Sequence, residues 1–424
     1  MRVKPALLAV GLLILSSATF AASLDELAVG AVSAETAAST AAINELRAIG
    51  PVGLDALFVK YSAEIEAFRS TGVADDKWAA IATALDAVAM QKDAYASHLY
   101  WYTDLDEAKK AADQKNKPVL TLRLLGNLNE EFSCANSRLF RAVLYPNAEV
   151  SKYLRENYIL HWKSVRPAPR ITIDFGDGRK IERTVTGNSI HYILSRDGDV
   201  IDALPGLYSP KAFLKYLKQA HQTDGIVSKL AKDRREIALL KYRKMAFDEI
   251  KQKREKVVAA TGVELKETRE GTDAILAAPV AAAKMVVTDE ASMLRVYDDF
   301  AKFEPAITFD EWSKLARLYS PSEKLDPNTI AFIRRQNLKT GLTEDEFKGL
   351  FAKLDRFISL DTTRNDLIYH AELYEWLNQS RTVDLEIFNA RVYAGIFRTP
   401  DSDKWLGLYS SDVYTALDGN GLIK

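Results

Sequence analysis

The feature that most constrains the fold is a change in apolar spacing near residue 100, which reverses near residue 220. On either side of this segment, apolar residues recur at helical intervals. Inside it, short apolar runs typical of strands alternate with helical stretches. This order predicts a layered α/β unit with a mixed sheet flanked by helices, embedded between all-α N-terminal and C-terminal regions. The predicted strands cover 119–124, 158–164, 171–175, 180–185, 190–194 and 200–204.

Turn and cap residues set the helices of this unit. Asp104 is a good N-cap, and Pro210 suits the first turn of a closing helix. Gly176-Asp177-Gly178 and Arg196-Asp197-Gly198 each predict a β-hairpin. The predicted helices cover 104–113, 137–144, 149–157 and 209–220.

The chain divides into segments with different patterns. We predict a signal peptide over 1–21, a helical region over 22–97, the α/β unit over 98–222, a long helix and linker over 223–288, and a helical domain over 289–424. The alanine-rich stretch 31–42 has little to bury and is expected to be loosely held. Helices beyond the α/β unit are predicted over 228–260, 289–303, 309–319, 327–336, 344–358, 367–378 and 384–396.

The N-terminus has the pattern of a secretory signal. Arg2 and Lys4 precede an apolar run over 6–15, and small residues lead to a cleavage position after Ala21. The apolar run is too short for a comfortable membrane anchor, and no later stretch is long enough to span a bilayer. We therefore expect a periplasmic or secreted protein with no membrane span after signal removal.

Composition narrows the partners and the redox chemistry. The 57 basic and 58 acidic residues nearly cancel, so nothing favours a nucleic-acid partner. The chain has a single cysteine, Cys134, which excludes an internal disulfide. Any redox chemistry must pass through a mixed disulfide, a sulfenic acid or a partner's thiol.

Cys134 follows a predicted strand and opens a predicted helix. A helix start, with its unpaired N–H groups and positive dipole end, favours the reactive thiolate. Ser137 completes a C-x-x-S spacing, which places a hydroxyl where a dithiol protein carries its second sulfur. The alternative is that Cys134 is a small buried apolar residue that never reacts.

Residues 98–222 resemble a thioredoxin-fold domain. The resemblance depends on Lys117-Pro118 before a strand, Cys134-Ala135-Asn136-Ser137 at a helix start, and the turn Arg196-Asp197-Gly198 between the last strands. The runs 133–138 and 187–192 also resemble a group of uncharacterised bacterial thioredoxin-like proteins, for which no substrate is known.

Three departures separate the chain from the redox-active pattern. Ser137 replaces the second cysteine, so a dithiol cycle cannot occur. Ile190, preceded by Ser189, stands where the resemblance implies a cis-proline, and a non-proline cis bond is costly. The loop 126–131 is longer than the usual connection. The chain is therefore not expected to be a general disulfide reductase.

The resemblance also implies which side chains surround Cys134. It brings the loop before Ile190 against the cysteine-bearing helix, and a Cys–His pair would be the minimum set for nucleophilic catalysis. The candidate catalytic residues are Cys134, Ser137 and His191. The candidate binding residues are Asn136, Arg138, Trp162, Asn188, Ser189 and Ile190.

Two other motifs lack residues that their binding or catalytic sites require. The segment 361–366 lacks the glycine and glutamate of a calcium loop, and His370-Ala371-Glu372 lacks the cysteine pair of a zinc deaminase. We infer no metal and no cofactor.

Two functions stay open. One is a monothiol redox protein that forms mixed disulfides with an exported protein or a low-molecular-weight thiol. The other is a non-catalytic protein-binding module with aromatic anchors. Solvent access to Cys134 discriminates between them. The candidate anchors are Tyr369, Tyr374, Trp376, Phe388, Tyr393, Trp405 and Tyr409.

Overall fold

The computed structural model describes residues 23–184, 187–263, 309–320, 324–406 and 416–422. The predicted signal peptide, most of the linker, the helix predicted over 289–303, and Tyr409 lie outside these ranges. Within them, no helix combines the length and apolar character that a bilayer crossing requires.

The N-terminal region is a set of five short helices. Gly50 and Gly72 end the second and the fourth of them. The stretch 31–42, which was expected to be loosely held, is packed instead. Much of it belongs to the helix Thr36–Ile49, which buries Ala42 and Leu46 in the hydrophobic core. The helices are α1 (Leu24–Ala31), α2 (Thr36–Ile49), α3 (Pro51–Lys60), α4 (Ser62–Thr71) and α5 (Asp76–Ala89).

The middle segment forms a mixed sheet, as predicted, and this sheet has five strands. The strand order is β1-β3-β2-β6-β7, in which β1, β3 and β2 are parallel and β6 and β7 are antiparallel to their neighbours. The predicted pairing of 190–194 with 119–124 is confirmed. The sheet strands are β1 (Trp101–Tyr102), β2 (Val119–Leu125), β3 (Ile159–Arg166), β6 (Ile190–Leu194) and β7 (Val200–Pro205).

The first predicted hairpin stands apart from this sheet. Strands β4 (Arg170–Asp174) and β5 (Lys180–Thr184) pair only with each other, as a two-stranded antiparallel sheet.

Helices complete the α/β unit. Asp104 caps the first of them by accepting from the amides of Asp106 and Glu107. The helix predicted over 137–144 starts earlier and changes to a π-helical turn over Phe140–Leu144. The helices are α6 (Leu105–Lys115), α7 (Ala135–Leu139), α8 (Ala148–Asn157) and α9 (Pro210–Val227).

The remaining described residues are mostly helical. A second π-helical turn, Asn365–His370, separates two of these helices. The helices are α10 (Lys232–Thr261), α11 (Phe309–Tyr319), α12 (Pro327–Gln336), α13 (Glu344–Arg364), α14 (Ala371–Leu377) and α15 (Leu385–Gly395). One continuous hydrophobic core includes residues of the N-terminal helices, the sheet and the C-terminal helices.

The last helix lies over one face of the sheet. Arg123 and Lys163 are register partners on β2 and β3, and both hold the Glu386 carboxylate of α15, at 2.8 and 3.1 Å. The Tyr192 hydroxyl of β6 donates to Asn389 of α15 over 3.0 Å. These contacts hold α15 against β2, β3 and β6.

Candidate functional site

Cys134 is the N-cap residue of α7, after a loop that begins at Gly126. Gly126 has a φ of +72°, and a Cβ there would lie 3.1 Å from the Ser133 Cα atom. The loop folds back tightly, because the Cys134 amide donates to the carbonyl of Leu125 at the end of β2, over 3.0 Å. A glycine therefore allows the turn that sets the position of the thiol.

The thiol is fully buried, with polar atoms around it. The Cys134 sulfur lies 2.8 Å from Ser189 Oγ, 3.6 Å from Ser137 Oγ and 3.8 Å from the Asn188 carbonyl oxygen. A weak S–H donor can satisfy itself among these oxygens without water. The sulfur is therefore enclosed by the protein.

Ser137 accepts from the thiol instead of donating to it. Its hydroxyl contacts the Cys134 carbonyl at 2.8 Å and Ser133 Oγ at 2.6 Å. A hydroxyl has one proton, and donating that proton to the Cys134 carbonyl leaves Ser137 only its lone pairs for the thiol. Ser137 helps to fix the start of α7.

Asn188 ties the site to the C-terminal segment. Its carbonyl accepts from the Tyr393 hydroxyl over 3.1 Å, and its side-chain amide donates to Thr399 Oγ1 over 3.3 Å. Burial raises the pKa of Tyr393 well above its usual value, with a further contribution from Cys134, so this hydroxyl stays a donor. The residues that follow α15 thus form a cover over the cysteine loop.

Asn136 is buried on the same side of the loop. Its side-chain amide donates to the Gly187 carbonyl. The oxygens of the Asn136 and Asn188 side chains have no hydrogen-bond partner among the described residues.

Arg138 connects α7 to the separate hairpin. Its guanidinium donates to the Ser133 carbonyl over 3.2 Å and to Thr184 Oγ1 over 2.8 Å. These contacts hold the end of β5 against the cysteine loop, which is a positioning role.

His191 does not hydrogen-bond to the sulfur. Its Nε2 pairs with the Tyr145 hydroxyl at 2.8 Å, and its Nδ1 has no partner among the described residues. Burial between Phe140 and Phe213 lowers the pKa of His191 to about 3, so the ring is neutral. The hydrogen-bonded Cys–His pair that nucleophilic catalysis requires is therefore not formed.

Ile190 and Trp162 have structural contacts. Ile190 is buried opposite Arg123 in the β2–β6 ladder, and every peptide bond in the described ranges is trans. The Trp162 indole donates to the Met90 carbonyl over 2.8 Å, at the end of α5. Trp162 therefore ties the sheet to the N-terminal helices.

The candidate aromatic anchors are divided between core and surface. Tyr374, Phe388 and Tyr393 are buried, and Trp405 is about half exposed. The partner surface suggested by these residues is thus largely core.

A second polar cluster, formed by His370 with Asp202 and Asp366, escaped the sequence analysis. His370 Nε2 lies 2.8 Å from Asp202 on β7, and Nδ1 lies 3.7 Å from Asp366. The sequence signal for this cluster was Asp202, an acidic residue inside the otherwise apolar strand predicted over 200–204. In the described part of the chain, no group of three acidic, histidine or cysteine residues is placed to hold a metal ion.

Comparison with protein-family models, curated proteins and solved structures finds no match to this chain.

Proposed function

We propose that this protein is an exported, non-catalytic binding protein. Its α/β unit has a thioredoxin-like fold that serves as a scaffold, and it binds a partner protein instead of exchanging disulfides. The observation that carries this proposal is the complete burial of Cys134.

The order and direction of the strands support the thioredoxin-like fold. Three parallel strands, β1, β3 and β2, continue into the antiparallel β6 and β7. The cysteine caps a helix after the central strand β2, and the loop before β6 supplies the nearest partner of the sulfur. This is the arrangement that the resemblance of residues 98–222 implies.

Burial argues against the monothiol alternative. Thiol–disulfide exchange requires a thiolate to reach a sulfur of the incoming disulfide. Here Ser189 occupies the space beside the Cys134 sulfur, and Tyr393 and Thr399 hold the adjacent loop closed. A packed cysteine suits a scaffold, since free cysteines often serve as small apolar core residues.

The separate β4–β5 hairpin supplies a surface for the partner. Ile173 pairs with Ile181, and Phe175 continues the same face by the period of two. Ile173 and Phe175 are 37% and 51% exposed. A lone two-stranded sheet is marginally stable in water, and within the described ranges neither outer edge pairs with another strand. An added strand would pair with a free edge and extend the apolar face.

The charges of the hairpin indicate what the added strand contains. Its three acidic residues each form an ion pair within the hairpin, whereas exposed Arg183 forms none with an acidic residue of the described chain. Arg183 lies on the apolar face, opposite Ile171. The occupant we propose is an extended segment of an exported protein, with alternating apolar side chains and an acidic residue beside Arg183.

Alkylation tests the buried thiol. Iodoacetamide should fail to label the native full-length protein and should label it completely in denaturant, because Cys134 is sealed by Ser189 and the C-terminal cover. Cys134→Ser, which cannot be labelled, gives the background. Rapid native labelling, with a mixed disulfide forming on exposure to oxidised glutathione, would overturn the proposal in favour of the monothiol alternative.

Photo-crosslinking tests the hairpin. A crosslinking residue at position 175 should capture an exported protein, and Ile173→Asp should abolish the capture. Val59→Asp, at a more exposed apolar residue of α3, should leave it unchanged. The purified captured protein should then protect hairpin amides from hydrogen exchange. Protection elsewhere, with none in the hairpin, contradicts this surface.

A further inference from the structure

A cavity of about 240 Å³ lies between the α/β unit and the C-terminal helices. This is the volume of about eight water molecules, which suits a small organic ligand. None of its lining residues belongs to the cysteine site. The α/β side is formed by the starts of α8 and α9, and the other side by α12 and α13.

The floor of the cavity is apolar, with hydroxyl groups. Val143, Leu214 and Ile358 are buried there, and Ser209 and Thr329 add buried hydroxyls. Thr329 is 1% exposed, yet its Oγ1 has no hydrogen-bond partner among the described residues. Buried polar groups are nearly always paired, so an unpaired hydroxyl in a cavity wall indicates a missing ligand atom or water.

The rim carries both signs of charge. Exposed Lys211 and Lys324 provide cations, while Glu149 and Asp355 provide carboxylates. Three helices, α8, α9 and α12, also begin at this cavity, where the side chains of Asn147, Ser209 and Asp326 cap their first amides.

We propose that this cavity binds a free amino acid with an aliphatic side chain. The ligand carboxylate would lie toward Lys211 and Lys324, and its ammonium toward Glu149. Its side chain would rest on Val143, Leu214 and Ile358. This inference is independent of the proposed partner binding, because it uses other residues.

Calorimetry on the full-length protein tests the charge requirement, with L-leucine as the probe. Isoamylamine lacks the carboxylate and 4-methylpentanoate lacks the ammonium, so each should bind at least about tenfold more weakly, as expected for loss of one charged hydrogen bond. Lys211→Gln and Glu149→Gln should weaken leucine binding by a similar factor, while Lys152→Gln, an exposed lysine of α8, should not.

A variant inside the cavity separates binding from folding. Thr329→Val removes the unpaired hydroxyl at nearly constant volume, so the ligand-free protein should melt at the same or a higher temperature. Leucine binding should nevertheless weaken. The proposal is overturned if leucine, isoleucine and valine all give neither binding heat nor thermal stabilisation. It is equally overturned if leucine binds no tighter than its single-charge analogues.

Discussion

At the residue scale, His370 is a buried group whose charge stabilises the fold. It is fully buried between Asp202 and Asp366, and the hydroxyls of Tyr374 and Tyr319 donate to these carboxylates over 2.9 and 3.0 Å. Burial alone lowers the pKa of His370, but the two aspartates outweigh burial and raise the pKa to about 9. A cation is therefore stabilised where the last strand of the sheet meets the C-terminal helices.

This raised pKa predicts a pH-dependent stability. The folded pKa lies above the ordinary value of 6.5, so the contribution is complete below about pH 6.5 and is lost as the pH rises through 9. His370→Gln should lower the free energy of unfolding by roughly 3 kcal/mol at pH 6, because it leaves two buried carboxylates without their cation. Urea unfolding at pH 6 and pH 9.5 should show the difference from wild type shrinking at the higher pH.

His221→Gln is the matched control for this experiment. Burial lowers the pKa of His221, so the sign of its linkage is opposite, and the difference from wild type should not shrink at high pH. A difference between His370→Gln and wild type that is equal at both pH values would show that His370 is neutral in the folded protein.

At the element scale, helix α15 closes the sheet over the cysteine site through Arg123. This guanidinium is fully buried on β2, and Nη2 lies 2.8 Å from Glu386 of α15. Removing one partner of a buried ion pair leaves a charge that is neither solvated nor paired. The Arg123–Glu386 contact thus couples the position of α15 to the integrity of the sheet.

Glu386→Gln should therefore loosen α15. We expect a loss of about 1–2 kcal/mol of unfolding free energy, less than for a fully buried pair because Glu386 is half exposed. Labelling of Cys134 by iodoacetamide should become faster, since Tyr393 and Thr399 belong to or follow the same helix. Urea unfolding measures the loss of stability, and timed alkylation measures access to the Cys134 thiol.

Two variants interpret the Glu386→Gln result. Glu375→Gln, at an exposed residue of α14, should change neither the unfolding free energy nor the alkylation rate of Cys134. Arg123→Met removes the buried charge together with its need for a partner. The loss of unfolding free energy should therefore be smaller than expected for changing a fully buried side chain. Unchanged alkylation in Glu386→Gln would mean that α15 does not control access to the thiol.

At the scale of the whole molecule, the three predicted regions share one hydrophobic core. It extends from Leu27 in α1 to Leu406 near the C-terminus. Contacts cross both boundaries of the α/β unit. Toward the C-terminal region, Gly206 packs so closely that a Cβ there would lie 2.7 Å from the Asn365 side chain. Toward the N-terminal region, the Trp162 indole donates a hydrogen bond to the Met90 carbonyl. The α/β unit is therefore covered on its faces by the other two regions.

This shared core predicts that residues 98–222 do not fold when expressed alone. Arg123 and Asp202 would then lose Glu386 and His370, and the apolar surface under the N-terminal helices would be exposed to water. Near-UV circular dichroism of the fragment should show no fixed aromatic packing, while the chain from residue 22 onward should unfold cooperatively in urea. Cooperative unfolding of the fragment would instead support independent regions.

The sequence by itself determined the elements whose signals are local. Asp326 and Pro327 mark the start of α12, and its bounds agree with the prediction. The turn at 196–198 predicts the β6–β7 hairpin, and the apolar run of 119–124 predicts the central strand β2; the structure has both. Caps, turns and apolar periodicity act within a few residues, so a single segment contains all the information they need.

Only the tertiary structure decided the state of the site. Ser189, Tyr393 and Thr399 enclose Cys134 from positions up to 265 residues away, and His191 pairs with Tyr145 instead of the sulfur. His370 likewise acquires its charge from Asp202 on a distant strand. Burial and hydrogen-bond partners depend on which segments pack together. That packing follows from burying apolar surface across the whole chain, which no local pattern around Cys134 records.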